Sequence, residues 1–368
     1  MTKFCIETYI NGLPEDTEII NVNHKQLNYL PNLTRFTNLK ILYCNNNQLT
    51  LLPPLNSSLQ ILYCYNNQLT LLPTLNENLQ ILHCYNNQLS LLPTLNENLQ
   101  DFHCYNNQLT FLPTLNVDLQ TLCCNNNQLT FLPPLNVSLQ RLHCYNNPLV
   151  TLPTLNENLQ DLDCSNDQLV ALPTLNVALQ RLNCSHNQLT DLPTLNVALQ
   201  RLYCYNNQLT ALPTLNENLY ILNCSHNQLT ALPTLNVDLQ QLYCDNNQLV
   251  NLPSLNVDLQ KLHCVNNQLV NLPSLNANLE QLYYNNNPIY EIIDSNYLFI
   301  INTKLKILHK FCYLYYFLKF KTQFRDFLWK KIREPKIIKN YHPSYLEQFL
   351  TDDAEGTVDL DMVLNSWI

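Results

Sequence analysis

Four positions spaced twenty residues apart, His83, His103, Cys123 and His143, with Asp163 next in the series, carry the side chains that bind zinc-type metals. Set on successive strands of one parallel sheet, they would stand roughly 4.8 Å apart, near enough for three of them to hold a transition metal. The same series runs through Tyr43, Tyr63, Tyr203, Tyr243 and Tyr283, so histidine also fits as one more ring in an aromatic column. The working expectation is no metal and no cofactor, with zinc titration as the check on the alternative.

Fifteen cysteines could suggest redox or metal chemistry, but their spacing argues otherwise. Twelve form a single series, from Cys44 and Cys64 through Cys244 and Cys264, and no CxxC pair of the zinc-module kind occurs. A thiol at a repeated inward position behaves as a small hydrophobe, protonated and unreactive. Cys312 lies in the apolar stretch KFCYLYYF, where an unreactive thiol is again expected. Two glycines, Gly12 and Gly356, cannot build a phosphate loop or a dinucleotide fingerprint. No nucleophile–base pattern falls in a pocket, because a solenoid offers a groove. The chain therefore reads as a non-enzyme.

The spacing comes from a repeat that runs from Leu39 to Pro288 with a period of 20 residues, as in LQILYCYNNQLTLLPTLNEN from Leu59 to Asn78. Such a period, built on LxxLxCxxNxL, is the signature of a leucine-rich repeat solenoid. Within the unit, Ile61 to Tyr65 alternates as a short strand, with Leu62 and Cys64 inward and Ile61, Tyr63 and Tyr65 on the concave face. About thirteen such strands would stack into a parallel sheet roughly 60 Å long. The ninth residue is asparagine from Asn47 to Asn287, whose amide can satisfy backbone groups as each strand turns away; Asp167 breaks this ladder and should weaken its turn. A proline recurring from Pro53 to Pro273 disfavours a convex helix and suits an extended path. Leu69, Leu72, Leu75 and Leu79 then fill the core.

The expected fold class is an α/β-type leucine-rich repeat horseshoe with an extended convex side and a helical C-terminal cap. Residues 1–38 form an N-terminal cap and a degenerate first unit whose apolar positions are Ile20, Val22, Leu27, Leu30, Pro31 and Leu33; that unit is longer, with 22 residues from Val22 to Cys44. Residues 39–290 form the solenoid and residues 291–368 a cap or tail. In the last part, residues 304–320 and 323–333 read as helices. The second carries Phe324, Phe327, Leu328 and Ile332 on one face and ends near Pro335, and a short acidic helix spans residues 358–367.

Charge is segregated: residues 1–303 carry 8 basic and 20 acidic side chains, and residues 304–340 carry 11 and 2. The acidity of the repeats argues against nucleic acid along the solenoid itself. The opening MTKFCIETYI lacks the apolar run of a secretory signal and no stretch is long enough to span a membrane, so an intracellular protein is expected. The better binding surface is the concave aromatic patch of Tyr63, Tyr65, His83, Tyr85, His103, Tyr105, His143 and Tyr145, flanked by Ile41, Ile61 and Ile81. Exposed rings bury large areas at little rotamer cost. Farther along, Arg141, Arg181 and Arg201 face Asp161 and Asp163. Against this, outward strand positions favour tyrosine by propensity alone. The alternative site is the basic aromatic tract of residues 304–339, whose cations and rings suit nucleic acid or an anionic surface. The acidic tail at Asp352, Asp353, Glu355, Asp359 and Asp361 is near enough in sequence to neutralise it.

The LPxL convex segment on a 20-residue period resembles the short leucine-rich repeats of secreted bacterial effectors. The wording is more similar still to repeat proteins of giant, mimivirus-like DNA viruses. The opening INGLPEDTEIINV, the CxNNQLTxLPxLN units, and the tail LWKKIREPKIIKNYHP with DLDMVLNSW carry that resemblance over nearly the whole chain. It implies a fold without an assigned chemistry, and a viral protein meeting a partner in the host cytoplasm, possible host proteins included. The effectors with this repeat style add a large C-terminal ligase domain, for which the 78 or so residues after the repeats are too few.

Overall fold

The computed structural model describes residues 4–336 apart from Asp294 and Asn296. Fourteen strands of three residues run from β1 (Ile19–Asn21) and β2 (Ile41–Tyr43) to β14 (Gln281–Tyr283). They form one parallel sheet in which spatial order equals chain order. From β2 onward each strand sits in register with the residue 20 positions on, Leu62 beside Leu82 for instance. The first step is longer, Ile20 pairing with Leu42, as the degenerate first unit requires. The strand number is one above the thirteen or so expected, because β1 in that first unit joins the sheet.

Every strand but β14 buries its middle residue, and most leave the flanking two half-buried, as in Ile61–Tyr63. The cysteine that follows is buried throughout the series, so twelve thiols fill the core directly behind the sheet. Burial pushes the Cys44, Cys184 and Cys224 thiols up to about 12, which leaves them neutral. Cys44 Sγ also lies 3.5 Å from the carbonyl of Tyr63 on the next strand.

The turn after most strands is made by two asparagines, with His186 and His226 taking the first place and Asp167 the second in three units. The ninth-position amide behaves as its chemistry demands: Asn67 Nδ2 donates to Cys44 O at 3.1 Å and Cys64 O at 3.0 Å, and its Oδ1 accepts from Leu49 N at 3.0 Å. The residue before it takes the left-handed conformation, with φ of 54° at Asn66 and 53° at Asn86. Glycine usually fills such positions. In a chain almost without glycine, asparagine does so because its short amide tolerates the region best among the other residues. Those amides make a second ladder, Asn66 Nδ2 donating to Asn46 Oδ1 at 2.7 Å and Asn86 Nδ2 to Asn66 Oδ1 at 2.5 Å.

On the convex side the proline-bearing segment is extended and carries no helix. Leu69, Leu75 and Leu79 are buried there, whereas Leu72 is only half-buried, because the extended path leaves its side against solvent. A third asparagine series, unassigned from the sequence, closes this segment: Asn76 Nδ2 donates to Leu59 O at 3.0 Å.

The chain divides into two compact units, Met1–Ile301 and Asn302–Ile368. In the first, α1 (Ile6–Asn11) buries Ile6 and Ile10, and Arg35 Nη2 donates to the carbonyls of Ile10 and Leu13. At the other end Tyr284 replaces the cysteine, buried, with its hydroxyl donating to Ser295 O at 2.9 Å. The short α2 (Pro288–Ile293), which the sequence reading did not place, buries Ile289 and Ile293 beside it. Two helices were expected beyond this point, yet α3 (Leu298–Leu328) is continuous and passes into a π-turn, Trp329–Arg333. Neither glycine nor proline lies between residues 320 and 323 to break it. Phe327, placed on an apolar face, is exposed. Residues 352–368, with the acidic tail and the last expected helix, lie outside the described residues. Among the described residues no helix is long and apolar enough to cross a membrane.

Candidate functional site

Strict register converts sequence spacing into columns on the concave sheet. The seventh residue of the unit stacks Tyr65 on Tyr85 and Tyr85 on Tyr105, with ring centroids 4.4 and 4.3 Å apart and planes within 9°. Beside it, the fifth-position column runs Tyr43, Tyr63, His83, His103, with centroid spacings of 5.3, 4.7 and 4.2 Å. The two columns meet at a tilt, His83 to Tyr85 at 48° and His103 to Tyr105 at 51°, with centroids 6.2 Å apart in each pair. Because the rings lie on one another they are half-buried and present edges and hydroxyls, where the sequence suggested open faces. Burial, and the phenols on either side, raise the Tyr85 hydroxyl so that it stays neutral. Tyr145 is in the same column, separated from Tyr105 by Asn125.

The centre of the sheet is polar. On β5 (Asp101–His103), Asp101 lies between His83 Nε2 at 3.3 Å and His103 Nε2 at 3.1 Å. Burial disfavours its charge, but bonding to both imidazoles outweighs this and holds its carboxyl well below the usual range. On β7 (Arg141–His143), His143 Nε2 is 3.4 Å from Asp161 on β8 (Asp161–Asp163), and His143 Nδ1 is 3.9 Å from Cys123 Sγ on β6 (Thr121–Cys123). Burial acts against each charge, yet the aspartate and thiol beside them lift His103 and His143 to about 9. The Cys123 thiol, pushed up by burial, is brought down to about 7 by those two histidines, unlike the thiols of the core series.

Sequence spacing thus brought His83, His103, Cys123 and His143 to one face, as expected. It missed Asp101, and it set Asp161 against the arginines without its partner His143. Alternation held the signal: residue 101 must share the face of residue 103, two positions on. Arg181 joins Asp161 at 2.9 Å and Asp163 at 3.6 Å, and Arg141 approaches Asp161 at 3.9 Å. Arg201 does not face these aspartates as supposed; its guanidinium sits over the Tyr220 ring and donates to that hydroxyl.

Residues 177–217 match the family model for leucine-rich repeats in two copies. The leucine-rich effector protein YopM of Yersinia pestis is 32% identical, over 77% of this chain and 86% of that one, with a TM-score of 0.67. The chain is a leucine-rich repeat protein. A leucine-rich repeat protein of Leptospira interrogans is similar at 26% identity and a TM-score of 0.55, over 76% of this chain and 83% of that one. The leucine-rich repeat domain of APL1B, at 24% identity and a TM-score of 0.60 over 68% and 82%, shares the fold. Among curated proteins no sequence matches. Leucine-rich repeats of this family commonly serve as scaffolds for interaction with other proteins, and the repeated extended surface is what suits them to it.

Proposed function

We propose that this leucine-rich repeat protein is a non-enzymatic scaffold that binds a protein partner on its concave sheet, through the ring columns of Tyr63, Tyr65, His83, Tyr85, His103, Tyr105, His143 and Tyr145. The observation that carries this reading is the stacking of Tyr65, Tyr85 and Tyr105. Rings already ordered by one another lose little rotamer freedom on binding, so more of the interaction appears as affinity. Arg141, Arg181 and Arg201 adjoin the columns and supply the polar rim that surrounds an interface core. The wording of the repeats supports a viral protein whose partner is a host protein in the cytoplasm.

Serine occupies the tyrosine column at Ser165, Ser185 and Ser225, so the test can use a residue the fold accepts. Affinity capture with the full chain should recover a partner that Tyr85→Ser with Tyr105→Ser loses and Asn223→Ser with Gln241→Ser retains. Retention by the tyrosine variant would count against the reading.

A second reading has one observation in its favour. Along α3, Phe311, Tyr313 and Tyr315 are exposed among lysines, and Lys319 lies 5.8 Å from the Tyr315 and Phe320 rings. Rings and cations together suit nucleic acid or an anionic surface. Binding of single-stranded RNA with a steep salt slope would support it, because phosphate contacts release counterions.

A further inference from the structure

We propose that His83, Asp101 and His103 form a binding site for one divalent transition cation of borderline softness, such as Zn2+, on the concave sheet. Their three ligand atoms all lie within 4.8 Å of one another. Around a tetrahedral zinc with bonds of about 2.0–2.1 Å, neighbouring ligand atoms stand about 3.3 Å apart. Asp101 Oδ2 is 3.3 Å from His83 Nε2 and its Oδ1 is 3.1 Å from His103 Nε2, so a turn of the carboxylate that brings one oxygen to the metal would close the site.

Three further observations favour a cation at this place over the neighbouring His143–Asp161 pair. The His83 and His103 rings are stacked at 4.2 Å and 12°, which holds their nitrogen edges side by side, and the rings of Tyr63, Tyr85 and Tyr105 fix them from around. Asp101 Oδ1 is shut off from solvent, with His103 Nε2 against it at 3.1 Å. A cation there would displace the His103 ring proton and take the oxygen directly as a ligand. Charge completes the contrast: Asp161 already has Arg181 and Arg141 against it, whereas the column holding Asp101 has Ile81 before it and Thr121 after it. A cation at Asp161 would be repelled; at Asp101 it would not.

Two imidazoles and one carboxylate suit zinc, cobalt or nickel and are poor for calcium or magnesium, which take oxygen ligands. Three protein ligands leave a coordination position open toward the groove. Cys123 stands one strand beyond the three-atom cluster, beside His103, and is not a ligand. The site stands apart from the protein-binding reading and does not depend on it.

The full chain, in a non-chelating buffer, is titrated with Zn2+ by calorimetry and with Co2+ by visible absorption. One equivalent should bind, and the cobalt spectrum should lack a thiolate charge-transfer band. His83→Tyr with His103→Tyr keeps residue types the same column carries at Tyr63 and Tyr203. That variant and Asp101→Asn should weaken binding by at least roughly 100-fold, more than loss of an outer-shell partner costs. Cys123→Ser and His143→Ala should bind as the parent does. No uptake by the parent, undiminished uptake by the double tyrosine variant, or a loss seen only with Cys123→Ser or His143→Ala would each overturn the assignment.

Discussion

In the first half of the solenoid the seventh residue of the unit is Tyr65, Tyr85, Tyr105 and Tyr145, with Asn45 and Asn125; in the second it is Ser165, Ser185, Ser225, Asp245, Val265 and Asn285, with Tyr205 as the one ring among them. The first half stacks its rings face to face, Tyr85 on Tyr105 at 9°, whereas Tyr243, His263 and Tyr283 in the second meet edgewise at 67–68°. The rim beyond the asparagine turn differs too. It exposes Leu51, Leu71, Leu91, Phe111 and Phe131 early, and Ala171, Asp191, Ala211 and Asn251 occupy the same place later. Strand propensity acts equally on every unit, so it does not account for the tyrosines of this one column gathering in the first half. Two surfaces have been written on one framework.

If the framework is shared, the largest effects must be equal in the two halves. Asn107 Nδ2 donates to Cys84 O and Cys104 O and its Oδ1 accepts from Leu89 N; Asn247 does the same for Cys224, Cys244 and Leu229. Asn107→Ala and Asn247→Ala each leave one N–H, of Leu89 or Leu229, buried without a partner and take one of two amide donors from each cysteine carbonyl, which keeps Asn87, Asn127, Asn227 or Asn267, at about 2–4 kcal/mol. Urea unfolding should give the same loss for both. A difference of more than about 1 kcal/mol would show that the halves are not built alike.

Asp167 lies where the faces change and is the ladder's exception. Its Oδ1 accepts from Asn147 N at 2.6 Å, and its Oδ2 is buried with no partner. Burial raises its carboxyl from 3.8 to about 8. A carboxyl that holds its proton more tightly when folded stabilises the fold fully below its unfolded value, and that contribution is lost as pH rises through the folded one. Stability should therefore fall between about pH 4 and pH 8. Asp167→Asn should flatten this slope and restore the donors to Cys144 O and Cys164 O, gaining about 1–3 kcal/mol at the alkaline end. Thermal unfolding against pH decides it; an unchanged slope would mean the carboxylate is solvated.

The period, the inward cysteine and the ninth-position asparagine were legible because each obeys a fixed spacing and one dominant force, burial or backbone hydrogen bonding. The left-handed role of Asn66 was not, since two adjacent asparagines look alike until the turn assigns one to each task. Asp101 escaped for a related reason: its weight comes from His83 on the preceding strand and His103 on its own, a relation across columns that reading down one column does not show. Nor could composition reveal that Tyr65, Tyr85 and Tyr105 cover one another.

Exchanging the faces tests the comparison at smaller scale. Tyr85→Ser with Tyr105→Ser removes the stacked pair and should cost about 1–2 kcal/mol. The reverse change, Ser165→Tyr with Ser185→Tyr, should recover less, because Asp163, Asn183 and Ser185 are already bonded there: Ser185 Oγ donates to Asn183 Oδ1 at 2.7 Å and Asn183 Nδ2 to Asp163 Oδ2 at 3.0 Å. Symmetric gains and losses would reduce the two faces to simple propensity.

The smallest effect should be electrostatic and confined to the second half. Arg181 binds Asp161 at 2.9 Å while a third of its side chain stays in solvent. An exposed pair of this kind contributes about 0.5–1 kcal/mol, screened as salt is added. Arg181→Ala should thus lose that amount at low salt and almost nothing near 1 M, where the Debye length is about 3 Å. The loss from Tyr85→Ser with Tyr105→Ser should be the same at both, because ring stacking and apolar burial carry no net charge for salt to screen. Parallel salt responses from the two variants would erase the distinction between a face held by rings and a face held by charges.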